Sequence, residues 1–206
     1  MSVLRLLNRE LYGVSVPTAC MGEAISYTPV LSERYGKGMS ARTLISVEDY
    51  LASCYEPDCD FVDGHIEERN VGEWDHSKLQ LKVGAYLLAR YGGMGIQVAT
   101  ELRIRITQTR VRIPDICVFL ENPGERVPTK PPFICIEILS PEDGMSRVEV
   151  RINDYLAMGV PYVWVLDPQT KQAFASTAAE GLNEVKTGVL RTENPVLELP
   201  LADCFR

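Results

Sequence analysis

Two carboxylates stand inside runs of sequence that are otherwise apolar. Asp115 follows Ile113 and Pro114 and precedes Ile116 in VRIPDICVFL (111–120), and Glu137 lies between Ile136 and Ile138 in PFICIEIL (132–139). An acid in such a run is almost never buried uncompensated, because an isolated charge in a low-dielectric interior is severely unfavourable. The compensation is a basic partner, a raised pKa that leaves the acid neutral, or a metal ion. Arg103, Arg105, Arg110 and Arg112 are the basic partners nearest in sequence. Alternatively, two carboxylates from neighbouring strands, joined by a third, give Mg²⁺ the hard oxygen ligands it prefers and leave positions for water and a phosphate. Such an ion polarises a phosphoryl oxygen and makes a nucleophile of its bound water, which is the chemistry of phosphodiester hydrolysis. Two misplaced acids on consecutive strands favour a site over a pair of ordinary salt bridges.

The elements that position these groups follow from periodicity. Ser46-Val47-Glu48-Asp49 has the form of a capping box and predicts a short helix through Cys54. Residues 60–69 (DFVDGHIEER) read as a strand and a glycine turn. Asp75 is expected to cap a helix in which Leu79, Val83, Leu87 and Leu88 recur at helical spacing until Gly92-Gly93. Over 95–107, Leu102, Ile104 and Ile106 alternate with Glu101, Arg103 and Arg105, predicting one long half-buried strand. The two runs that hold the acids predict strands covered on both faces, with Pro114 marking an edge or bulge where a side chain is re-aimed. Ser140-Pro141-Glu142-Asp143 opens a helix that runs to Met158 and stops at Gly159. A strand over 160–166 (VPYVWVL), a turn at Asp167-Pro168, weaker strands and a last turn near Leu201 complete the order. The expected fold class is α/β, or mixed α+β, with a mixed sheet flanked by helices.

Composition bounds the remaining possibilities. A chain of 206 residues, 46% hydrophobic and 24% charged, is enough for one ordinary core and excludes disorder. A formal net charge of -7 excludes a basic coat for nucleic acid or anionic membrane, though not a local basic groove. No apolar run approaches the roughly 20 residues of a membrane span, and Arg5, Arg9 and Glu10 interrupt any secretory core. Six cysteines without a CxxC pair signal neither a zinc ribbon nor a disulfide scaffold and point to a reducing cytoplasm. Residues 1–42 lack periodicity and are expected to be an extension, loosely ordered or preceding a start at Met39, ahead of one domain over 43–206.

An ordered series then emerges. Asp63-Gly64 with Glu68, His76 at the head of a helix, Pro114-Asp115, Glu137-Ile138-Leu139-Ser140-Pro141, Tyr155 with Gly159-Val160-Pro161, Trp164 and Asp167-Pro168 follow one another along the chain. From about residue 43 onward this resembles the Uma-type putative restriction endonuclease family, a branch of the PD-(D/E)XK nuclease superfamily. The resemblance implies a restriction-endonuclease-like core, a four-stranded mixed sheet with flanking helices, and Mg²⁺-dependent cleavage of DNA, with Mn²⁺ as a substitute. It makes Glu68, Asp115 and Glu137 the metal ligands. It gives His76 a part in contacting phosphate or positioning water, against a plain role as a hydrogen-bonding helix residue, and it makes a homodimer plausible. One departure stands out. The superfamily places Lys two residues after the second acid, where this chain has Leu139, and the basic group of this family lies four residues before the Tyr, at Arg151. Arginine stabilises phosphate charge but cannot act as a general base.

Three readings compete. A metal-dependent DNA endonuclease uses Asp115, Glu137, Arg151, Glu68 and His76 as its catalytic set, with Arg103, Arg105, Arg110, Arg112, Arg147 and Arg151 forming a local basic surface for phosphates. A nuclease-fold module that has lost turnover binds DNA or a protein partner. A hydrolase of another substrate, using the carboxylate pair as acid and base, survives EDTA. Trp164 and Tyr155 read as core, Glu101 as an exposed acid, and Ser140 as a helix cap rather than a nucleophile.

Overall fold

The computed structural model describes residues 44–70 and 72–206, so the expected extension over residues 1–42 lies outside the described residues. Ser46 caps α1 (Val47–Ala52) as its sequence predicts, its Oγ accepting the Asp49 N–H at 3.0 Å and donating to the Asp49 carboxylate at 2.7 Å. Asp63 and Gly64, both at positive φ, turn β1 (Cys59–Val62) into β2 (His65–Glu68). Two long helices follow, α2 (Trp74–Tyr91) and α3 (Met145–Met158). Both begin elsewhere than expected. Glu73 holds the cap position of α2 and Asp75 falls in its first turn. Residues 140–143 form a turn in which the Asp143 carboxylate accepts the Ser140 N–H at 2.8 Å, so α3 starts only after Gly144. A short polar side chain that satisfies nearby backbone in this way competes with helix formation.

The runs 95–107 and 111–120 each break in two. The first yields β3 (Gln97–Thr100) and β4 (Ile104–Thr107), the second β5 (Arg110–Arg112) and β6 (Ile116–Phe119). β4 and β5 belong to a small antiparallel sheet in the order β2-β1-β5-β4. β3 and β6 join a larger one with β7 (Ile134–Ile138), β8 (Tyr162–Asp167), β9 (Gln172–Ser176) and β10 (Asn183–Glu184), in the order β10-β9-β8-β7-β6-β3. Each break has a local cause: Glu101 adopts a left-handed φ of 51°, which ends an extended ladder, and Pro114 has no N–H to give one. The breaks lie side by side, the Glu101 N–H donating to the Asp115 carbonyl at 3.3 Å. A two-stranded ribbon thus leaves one sheet and enters the other at Glu101 and Asp115, and the single strand expected over 95–107 is two.

In the large sheet β7 and β8 are parallel and α3 makes the crossover between them. Ile134, Ile136 and Ile138 pack in the same core as Leu79, Val83 and Leu87 of α2, whereas Cys135 packs with Val148, Ile152 and Tyr155 of α3. Cover on both faces explains the unbroken apolar run, and the alternation assigns Glu137 to the α3 side. In the small sheet, Phe61 and Val111 pack on Val47 and Tyr50 of α1. The C-terminal part adds the hairpin of β11 (Val189–Arg191) and β12 (Glu198–Pro200) and the short α4 (Leu201–Cys204). No helix among the described residues is long and apolar enough to cross a membrane.

Candidate functional site

Asp115 occupies the corner where the ribbon changes sheets, and it is 4% exposed. Its Oδ1 accepts from an Arg69 terminal nitrogen at 2.8 Å, and its Oδ2 accepts the Ile138 N–H of neighbouring β7 at 2.6 Å. His76 Nε2 lies 3.3 Å from the same Oδ2. Arg69 also pairs with Glu101. Gln80, one turn after His76 on the inner side of α2, donates at 2.8 Å both to Glu101 Oε1 and to the Asp115 carbonyl. Burial by itself pulls the His76 imidazole pKa down, but the hydrogen bond and charge of Asp115 outweigh it and hold the ring above its ordinary value. The other ring nitrogen, Nδ1, is buried without a partner. It faces Gly72, where a Cβ would come within 2.8 Å of it.

Glu137 is buried on the α3 side of the same sheet. The Tyr155 hydroxyl donates to its Oε1 at 2.6 Å, and Arg151 Nε lies 2.9 Å from its Oε2. Arg151 and Tyr155 are four residues apart, so one face of α3 presents both. The Arg151 Nε–H is not aimed along that short distance and is left without an acceptor, while a terminal nitrogen stands 3.6 Å from Asp143. Burial pushes the Glu137 pKa up against the pull of Arg151; the Asp115 charge adds to the rise and the Tyr155 hydrogen bond opposes it, leaving it at about 7.

Beside Asp115 a polar cavity of about 20 Å³, lined by Arg69, Asn70, His76, Asp115, Asp143 and Arg151, has the size of one water. Arg69 and Arg151 also line a wider groove of about 270 Å³, shared with Asp60, Glu68, Arg112 and Arg147. The structure therefore brings Asp115, Glu137, His76 and Arg151 together and leaves the predicted Glu68 outside, exposed on the groove. Its neighbour Glu67, exposed on the same groove, meets Arg112 at 2.8 Å.

Sequence reasoning missed Arg69, Gln80, Asp143, Gly72 and the Tyr155 hydroxyl. It also read Glu101 as a plain exposed acid, whereas Arg69 and Gln80 hold it. The predicted basic surface is largely consumed internally: Arg103 pairs with Asp58, Arg105 with Glu48, Arg110 with Asp63 and Asp154, and Arg112 with Asp60, Glu67 and Asp154. As arranged, the cluster does not fit a divalent cation. Both Asp115 oxygens and both Glu137 oxygens already meet groups of the chain, two of them guanidiniums. Among the described residues no three His, Cys, Asp or Glu side chains form a metal-holding group.

The family model described as "Uma2: Putative restriction endonuclease" matches residues 47–204. The fold is similar to the crystal structure of a putative nuclease belonging to DUF820 from Anabaena variabilis. That similarity has a TM-score of 0.67 and 23% sequence identity, covering 78% of this chain and 97% of that one. No curated protein matches the chain.

Proposed function

The chain belongs to the Uma2 family, described as putative restriction endonucleases, and from that premise we propose that it is an endonuclease hydrolysing DNA phosphodiester bonds at the Asp115–Glu137 cluster. One observation carries this reading: the buried carboxylate of Asp115 borders a water-sized cavity whose other wall is cationic and continues into an arginine-lined groove, with buried Glu137 behind Arg151. A phosphate entering along the groove meets Arg147, then Arg69 and Arg151, whose guanidiniums are suited to phosphate oxygens. His76, held toward its cationic form by Asp115, adds positive charge across the cavity. Asp115 borders the cavity and accepts the proton of an attacking water, a task closed to arginine. Glu137 orients Arg151.

The Mg²⁺ dependence expected of the family belongs to this proposal, with Mn²⁺ as a substitute. Asp115 and Glu137 are the oxygens that suit such an ion, and they become available only if Arg69 and Arg151 withdraw; Glu68 joins them only if β2 moves as well. The free thiols of the described cysteines accord with a cytoplasmic setting.

The test is incubation with supercoiled, duplex, branched and single-stranded DNA in Mg²⁺, Mn²⁺ or EDTA. The expected result is metal-dependent product that Asp115→Asn reduces by about 100-fold. A second reading has its own support in the saturated carboxylates and in Leu139 at the position of the strand Lys: a module that binds DNA without cutting it. It predicts a DNA complex by gel shift, no product in any metal, and an undiminished complex in Asp115→Asn.

A further inference from the structure

α2 is apolar on two sides. Its inner side buries Leu79, Val83, Leu87 and Tyr91 in the core, as an amphipathic helix does. Its outer side carries Trp74, Leu81 and Leu88, which are 77%, 74% and 54% exposed, with exposed Ala85 between the last two. Single exposed apolar residues are ordinary, but three large ones spaced by seven lie in one line along the helix, the repeat of a helix-to-helix seam.

The line is symmetric about Leu81. Set two copies of the helix antiparallel across a two-fold axis at that residue, and Leu81 packs on its own counterpart while Trp74 of each copy meets Leu88 of the other. A two-fold interface requires this self-complementarity. Antiparallel pairing also sets the two helix macrodipoles against each other favourably.

We propose that the outer face of α2 is a homodimer interface, two copies of this chain packing antiparallel about Leu81. The three side chains bury roughly 400 Å² per partner, so with the surrounding residues the area falls at the low end of specific interfaces and the dimer is reversible. The same helix holds His76 and Gln80 against Asp115 on its inner side, which places each copy's cluster directly behind the interface. The proposal does not depend on cleavage.

Sedimentation velocity on the full chain over a concentration series tests it, with Leu81→Arg and Leu81→Cys as variants. The parent is expected to pass from monomer to dimer with a Kd on the order of 10 µM. Leu81→Arg is expected to stay monomeric with the parent's circular dichroism and unfolding transition, since the Leu81 side chain is 74% exposed and belongs to none of the core clusters of the described residues. Leu81→Cys is expected to give, on mild oxidation, a disulfide-linked dimer that the parent does not form. A parent that remains monomeric at the highest concentrations overturns the proposal; coverage of the stripe by residues 1–43 or by a different protein gives that result. A dimer that survives Leu81→Arg overturns it too, because its interface then lies elsewhere.

Discussion

Two buried charge clusters lie only a few residues apart in this molecule, and they are built on opposite principles. In one, Arg112 is 2% exposed and gives each of its bonds to an acid: Nε to Asp154 at 2.7 Å, and one terminal nitrogen to Asp60 and Glu67 at 2.8 Å each. Asp60 spends its other oxygen on the Ile113 N–H at 3.1 Å, and Asp154 spends its own on Arg110 at 2.5 Å. This cluster ties the small sheet to α3, and none of its side-chain donors or acceptors is among the buried unpartnered groups. In the other, Asp115 and Glu137 are equally buried, yet His76 Nδ1 has no acceptor among the described residues, the Arg151 Nε–H is poorly aimed at Glu137, and the arginines face a cavity. The Arg112 cluster borders the groove as well, but the bonds of Nε and one terminal nitrogen are spent on acids of the chain. The difference teaches that burial of charge alone marks neither a clamp nor a site; what separates them is the unfilled hydrogen-bonding capacity left at a cavity.

The contrast can be broken most forcefully at Arg112. Replacing it by Met strands Asp60 in the interior, leaves Asp154 with Arg110 alone, and should cost about 3–5 kcal/mol of stability, read from urea unfolding. Arg151→Met should cost distinctly less at pH 6. Its partner Glu137 already has a pKa raised to about 7 and can take a proton instead of standing as an uncompensated charge. If the two substitutions cost the same at pH 6 and at pH 8, the clusters do not differ as described.

A smaller effect follows from titration. Between the ordinary carboxylate value of about 4.5 and the folded value of about 7, folded Glu137 keeps a proton that the unfolded chain releases. Stability from this group is therefore full below pH 4.5 and is lost as pH rises through 7. The raised His76 acts in the same direction, its contribution fading as pH climbs past its folded pKa. Unfolding free energy of the parent should thus fall more steeply from pH 5 to 8 than that of Glu137→Gln; parallel curves would remove the assigned shift.

The smallest expected change in stability comes from Gly72→Ala. The added Cβ collides at 2.8 Å with His76 Nδ1 and at 3.1 Å with Ser77 Oγ, while Gly72 lies outside the core. Cleavage should drop by about tenfold through displacement of the imidazole, with stability within about 0.5 kcal/mol of the parent. A variant that cleaves at the parent's rate would detach His76 from the site.

Much of this arrangement is written in local sequence. Asp115 and Glu137 announce themselves because they interrupt apolar runs, whereas Arg151 stands out only through the family resemblance, which puts the basic group four residues before the Tyr. The break at Pro114 is legible for the same local reason, its missing N–H. The break at Glu101 is not: a left-handed φ at a glutamate has no compositional sign, so 95–107 reads as one alternating strand. Arg69 is equally hidden, because its reach to Asp115 spans 46 residues and exists only once the ribbon has turned from one sheet into the other. Glu68 and Glu67 are adjacent acids on the same groove, and which of them reaches a basic partner is set by strand register, which their types do not specify.

On the proposed function, the cluster at Asp115, and not the one at Arg112, does chemistry. Plasmid cleavage in Mg²⁺ by the parent, Asp115→Asn and Asp63→Asn tests it most directly, Asp63 being the exposed acid paired with Arg110 at the rim of the saturated cluster. The predicted result is a loss of about 100-fold in Asp115→Asn, with its unfolding still cooperative, beside parent-like cleavage by Asp63→Asn. Cleavage by Asp115→Asn at the parent's rate would contradict the account.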